Sequence, residues 1–168
     1  MTTVESAPVF LAAQGAAAAG MVLRAGGIPL LVDRTADAAT NSETQALLRS
    51  VESPGLRIVM TVAECDYRIV ARRSAGIRRL SDLRGKKVGT PANTSAAYYL
   101  AKMLRTVKLA EADVTIVAMP VADMAAAMKR GDVDAVSGWD RARRTRSRSL
   151  GLTRLSFRTR RFIASCST

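Results

Sequence analysis

Two hydrophobic periods take turns along the chain. KKVGT reads as a strand, Thr94 to about Val107 as a helix, VTIVAMP as a strand, VADMAAAMKR as a helix and VDAVSGW as a strand. Alternating positions and helical spacing each fit only one of these conformations. Strands separated by helices imply parallel pairing through crossovers, which makes the fold class α/β. Upstream, APVFLAAQGAAAA at residues 7–19 reads as a helix, MVLRA as a strand, and the two glycines opening GGIPLL suit a turn. In DAATNSETQALLRSV, Asn41 and Ser42 are N-cap candidates, with Gln45 in capping-box position ahead of a helix running to about Val51. Ser53-Pro54-Gly55 then breaks the chain. LRIVMTVAE and YRIVARR both read as strands, with Leu56, Ile58, Met60 and Val62 sharing one face.

At 168 residues and 48% hydrophobic content, the chain can build one ordinary core or two small lobes. It has no run of 18 apolar residues, the length a membrane-spanning helix needs. The alanine-rich N-terminus is apolar, but it carries Glu5 and no Lys or Arg before Arg24, so it is not expected to act as a cleaved export signal. Histidine is absent, and Cys65 and Cys166 lack metal-ligand spacing. Neither a metal, nor another cofactor, nor histidine-based acid–base chemistry is therefore expected.

The net charge of +12 is unevenly spread. Residues 141–168 hold nine arginines and no acid, whereas residues 1–140 carry 17 basic against 14 acidic side chains. An Arg/Ser-rich tail of this kind can bind nucleic-acid phosphates through counterion release, and it can equally be a disordered end. Phe157 is the sole aromatic residue within 141–161 able to stack on a base, so nucleic acid is an unfavoured partner.

The stretch DLRGKKVGTPANTSAAYYL has the composition of a phosphate loop but the wrong order. A P-loop places its lysine and hydroxyl directly after the second glycine. Here Lys86 and Lys87 precede Gly89, while Thr94 and Ser95 follow it. What the order does describe is a strand ending at Thr90, a loop with Pro91 and Asn93, and a helix starting at Thr94 or Ser95. In α/β sheets, ligands bind beyond such strand ends, and a helix N-terminus presents unpaired N–H donors to an anion. The competing reading is that Thr94 simply caps its own helix. Lys86 and Lys87 read as a solvated turn, and Asp132 and Asp134 of GDVDA as turn and strand-entry residues.

SAGIRRLSDLRGKKVGTPANTSAAYYLAKML followed by DVTIVAMPVADMAAAMKRGDVDAVSGW resembles the solute-binding proteins of bacterial ABC importers for nitrate, sulfonates and taurine, the SsuA/TauA and NMT1/THI5-like superfamily. The similarity rests on Ile77 to Val88, on Thr94 and Ser95, on Met128 to Ala135 and on Trp139, in that order, and extends over roughly residues 5–140. It implies a periplasmic-binding-protein-like type II fold with parallel or mixed sheets and flanking helices. It also implies a periplasmic protein that holds a small anionic solute in a cleft between lobes and passes it to an ABC permease, without chemistry. Asn41, Ser42, Thr90, Asn93, Thr94, Ser95 and Trp139 are the implied ligand-binding residues.

Against that family the chain looks short. The expectation is a partial first lobe at 1–75, a partial second lobe at 76–140 and a basic tail at 141–168, in a truncated or frame-altered product able to self-associate through uncovered surface. An enzymatic alternative, the pyrimidine-forming chemistry of THI5-like relatives, looks to require a histidine and a cysteine-rich motif that this sequence lacks.

Overall fold

The structure, a computed structural model, describes residues 11, 14–15, 26–62 and 66–139 and the backbone of 152–155. The chain divides into two compact units, Met1–Cys65 and Asp66–Thr168. The division falls ahead of the expected boundary after residue 75, because YRIVARR belongs to the sheet of the second unit. Positions 11, 14 and 15 are helical, while the rest of the 7–19 helix and the 21–25 strand lie outside the described residues.

In the first unit, Gly27 takes φ 67° to open a short helix, α1 (Ile28–Val32), with Pro29 in its first turn, where a missing N–H leaves no bond unmade. Helix α2 (Glu43–Ser50) starts as its sequence predicts. Ser42 Oγ accepts the Gln45 N–H at 3.4 Å, and Asn41 Oδ1 accepts the Ser42 N–H at 2.9 Å. Glu43 and Arg49 sit at the ends that suit their charges. The strand expected at LRIVMTVAE is not found: residues 56–62 make no ladder, and 63–65 lie outside the described residues. Ile58, Val59 and Met60 are 59%, 90% and 71% exposed. Alternation gives a segment two faces but no partner, and no described strand of this unit offers it an edge.

The second unit is a mixed five-stranded sheet in the order β3-β2-β4-β1-β5, formed by β1 (Tyr67–Arg72), β2 (Lys87–Thr90), β3 (Thr115–Ala118), β4 (Ala135–Trp139) and β5 (Leu152–Leu155). Strand β2 runs parallel to both β3 and β4, with Val88 opposite Ile116 on one side and Ala135 on the other. Strand β1 is antiparallel to β4, pairing Tyr67 with Trp139 and Ile69 with Ser137. Residues 152–155, expected within a tail outside the pattern, pair with the free edge of β1. The remainder of the tail lies outside the described residues.

Helices α3 (Ser95–Thr106) and α4 (Val121–Arg130) cover opposite faces of the sheet. Tyr99, Leu100, Met103 and Leu104 of α3 follow helical spacing and pack with Ile69, Ala71, Val88 and Ala135. Ala127 and Met128 of α4 pack with Val70, Val117 and Val136. These two sets are the two parities of the strands, so each strand residue can be assigned to a helix side. Gly131, at φ 87°, ends α4, and its N–H and that of Asp132 both bond to Ala127 O.

The end of the sheet where β2, β3 and β4 begin is tied by Asp134. Its Oδ1 receives Arg72 at 2.7 Å and its Oδ2 receives the Lys87 N–H at 3.0 Å. Burial is the largest single influence on the Asp134 carboxyl and pushes its pKa up. The Lys87 N–H, the Arg72 guanidinium and the nearby Lys86 charge together outweigh it and hold the carboxyl below its ordinary range. Asp82 is held low as well, chiefly by the Arg78 N–H, in a turn that buries Leu80 and Leu83. Asp134 and Asp82 are thus framework residues, as is Asp132, which pairs with Arg130 at 2.8 Å.

Candidate functional site

At the opposite end of the sheet, β2 delivers its chain to the face covered by α3. Thr90 shares the parity of Val88 and lies one step beyond the Gly89–Val136 pairing, next to Ser137. Its side chain is 1% exposed, and Oγ1 has no hydrogen-bond partner among the described residues. Its backbone carbonyl is engaged, with Thr90 O accepting the Met119 N–H at 3.1 Å. A buried hydroxyl left without a partner forfeits the hydrogen bonds it made to water. Such a group in a well-packed strand end is a candidate for a ligand contact.

Pro91 stops the ladder, and Asn93 takes φ 55°, a left-handed conformation that asparagine tolerates better than most residues. Asn93 is exposed, so its backbone turn is its clearest contribution. Thr94 is the N-cap residue of α3 by backbone conformation, but its side chain does not cap. Instead Thr94 Oγ1 donates to Pro91 O at 2.7 Å and braces the loop. The self-capping expected of Thr94 therefore does not occur, whereas Ser42 does cap α2. The first intrahelical bond of α3 is Tyr98 N–H to Thr94 O. Helix geometry leaves the N–H groups of Ser95, Ala96 and Ala97 without an intrahelical acceptor.

Two residues outside the sequence-based set complete the site. The Tyr67 hydroxyl donates to Ser95 Oγ at 2.7 Å, and Ser137 Oγ donates to Ala96 O at 3.1 Å. Tyr67 also stacks on Tyr99, with ring centroids 5.5 Å apart. Burial raises the pKa of the Tyr99 phenol, with Arg68 pulling it back and Asp66 adding to the rise, so Tyr99 stays neutral near pH 7. Trp139 ends β4 opposite Tyr67, on the parity of Ser137. The strand pairing thus brings Thr90, Ser95, Ser137, Tyr67 and Trp139 to one end of the sheet on the α3 side. The signal for Tyr67 and Ser137 was strand parity, which has no meaning until β1 is paired with β4. Asn41 and Ser42 belong to the other compact unit, where both bond within the start of α2. Lys86 and Lys87 lie at the far end of β2, away from the Thr90 site.

The carboxyl end of β2 is also where the chain changes sides. From β2 it leaves toward α3 on one face, and from the adjacent β3 it leaves toward α4 on the other. Crevices at such points are where open α/β sheets bind ligands.

A family profile described as NMT1/THI5 like matches residues 24–165. The chain belongs to the NMT1/THI5-like family. Two solved structures are similar to this family member. The alkanesulfonate-binding protein SsuA from Xanthomonas axonopodis pv. citri, bound to MOPS, is 25% identical with a TM-score of 0.50 over 54% of this chain and 32% of its own. The periplasmic aliphatic sulphonate binding protein SsuA from Escherichia coli is 27% identical with a TM-score of 0.50 over 54% of this chain and 31% of its own. The NMT1/THI5-like chain therefore spans about a third of the length of these solved relatives, which are substrate-binding proteins. Comparison with curated protein sequences finds no match. No helix among the described residues is long and apolar enough to cross a membrane.

Proposed function

We propose that this NMT1/THI5-like chain is the solute-binding component of an ABC importer. It takes a small oxyanionic solute of the sulfonate, taurine or nitrate type in the periplasm and presents it to a membrane permease. The observation that carries this reading is the pairing of an uncapped α3 N-terminus with the buried, unpartnered hydroxyl of Thr90. The helix supplies N–H donors and partial positive charge, and Thr90 supplies a hydroxyl already removed from water. Asn93 and Thr94 shape the loop, Ser95 lies at the first helical position, and Trp139 offers an apolar edge to the solute body. The similarity to two sulfonate-binding proteins supports the same ligand class.

Binding of this kind needs no bond to be made or broken, and the reading is one of reversible capture. The test is a thermal-shift and calorimetric screen of the full chain against taurine, short alkanesulfonates, aromatic sulfonates and nitrate. A concentration-dependent rise in melting temperature is expected with at least one of them, since a ligand that binds only the folded state stabilises it. A folded sample that answers none of them rejects the proposal.

A further inference from the structure

The hydroxyls around the α3 N-terminus differ in what they have left to give. Thr94 Oγ1 has given its hydrogen to Pro91 O, and Ser137 Oγ has given its hydrogen to Ala96 O. A hydroxyl has a single hydrogen, so neither can donate to a solute. Ser95 is placed differently. Its oxygen receives the Tyr67 hydroxyl hydrogen at 2.7 Å, and no acceptor for its own hydrogen lies among the described residues. A phenol is a stronger acid than an alcohol, which favours the arrangement with Tyr67 as donor and Ser95 as acceptor. Donation from Tyr67 in turn polarises the Ser95 O–H and strengthens it as a donor.

We propose that Tyr67 is a positioning residue that commits the Ser95 hydroxyl to donating, and so sets the α3 N-terminus to accept oxyanions and reject groups that must themselves donate. This rests on the solute-binding reading above and deepens it. Tyr67 does not touch the solute. It acts from β1, held in place by its stack on Tyr99 and its cross-strand position opposite Trp139. With Tyr67 in place, Ser95, Thr90 and the free N–H groups present donors to the solute. Without it, the Ser95 hydroxyl can rotate, and the oxygen released from Tyr67 becomes an acceptor for a solute N–H.

The discriminating experiment uses the full chain and the pair butane-1-sulfonate and butane-1-sulfonamide, which share shape but differ in charge and in hydrogen-bond donors. The wild type is expected to prefer the sulfonate. The Tyr67→Phe variant keeps the ring stack and loses the hydroxyl. Its sulfonate affinity is expected to fall about tenfold while its sulfonamide affinity holds within about twofold, which shrinks the preference about tenfold. In a Ser95→Ala background the same change is expected to have no further effect on sulfonate binding.

Equal losses for both ligands in Tyr67→Phe would mean a merely structural tyrosine and overturn the proposal. An unchanged preference, full additivity with Ser95→Ala, or a wild type that does not favour the sulfonate would overturn it too. In each of these cases the solute-binding reading stands as long as the wild type still binds an anion of the screen. A wild type that answers no anion removes both.

Discussion

Thr90 and Thr94 stand four positions apart with the same side chain, and they use it in opposite ways. Thr94 uses its hydroxyl locally, bracing Pro91, while Thr90 keeps a buried hydroxyl with no partner among the described residues. Replacing Thr90 by valine preserves shape and removes that hydroxyl. Because no protein hydrogen bond is lost, stability is expected to hold or rise by up to about 1–3 kcal/mol, while affinity for the bound anion falls. Urea denaturation and calorimetry on the same samples read the two effects separately, and a loss of both stability and binding would contradict the assignment. Asp134 makes the opposite case, a polar residue with its bonds satisfied. Its folded pKa lies below the ordinary carboxylate value of 3.8, as does that of Asp82. Stability from these groups is therefore fully present above pH 4 or so and is lost as pH falls through the lower folded values. Asp134→Asn is expected to flatten the acid limb of a stability-versus-pH curve and to cost about 1.5–3 kcal/mol at pH 7 through the weakened bond to Arg72.

At the scale of elements, much of this fold was legible in the sequence. Helix α4 runs over the ten residues that its pattern marks, and α3 and strands β1 to β4 fall within one or two residues of expectation, since each combines a clear period with a breaker or cap. LRIVMTVAE failed because periodicity reports what a segment offers and says nothing of whether a partner exists. The site divides the same way: Thr90, Thr94 and Ser95 are adjacent in sequence and could be found there, whereas Tyr67 and Ser137 reach the site only through the β1–β4 register. Two changes test the packing of these elements. Leu104 is fully buried between α3 and the sheet, and Leu104→Ala is expected to destabilise by about 2–5 kcal/mol in denaturant titration. Gly89 leaves no room on the α4 side of β2, where an added Cβ would meet Met119 Sδ at 2.9 Å and Val136 Cγ1 at 3.3 Å. Met119 can swing away but β-branched Val136 cannot, so Gly89→Val is expected to cost about 1–3 kcal/mol by overpacking. It would also displace the strand end that carries Thr90, and weakened anion binding should accompany the loss of stability.

At the scale of the whole molecule, apolar surface is unevenly distributed. The second unit buries most of its described large apolar side chains under two helices and exposes Tyr98 and Ile116, while the first unit exposes Leu47, Leu48, Val51, Ile58, Val59 and Met60. Exposed apolar surface of this extent favours association. Sedimentation at rising concentration is expected to show larger species for the wild type and fewer for an Ile58→Lys, Met60→Lys variant, with anion binding by the second unit unchanged. The pairing of β1 also bears on how the molecule comes into being. Strand β1 leaves the ribosome before the other described strands of its sheet, yet both its partners, β4 and β5, are the last of the described strands to be made. Helix α3 and the parallel pair β2–β3 can form from nearby sequence while β1 waits, because local contacts close at lower entropy than distant ones. Tyr67, which bonds to Ser95 at the start of α3, is thus synthesised ahead of the other residues at that end of the sheet, and its strand is locked in place only after Trp139 has cleared the exit tunnel.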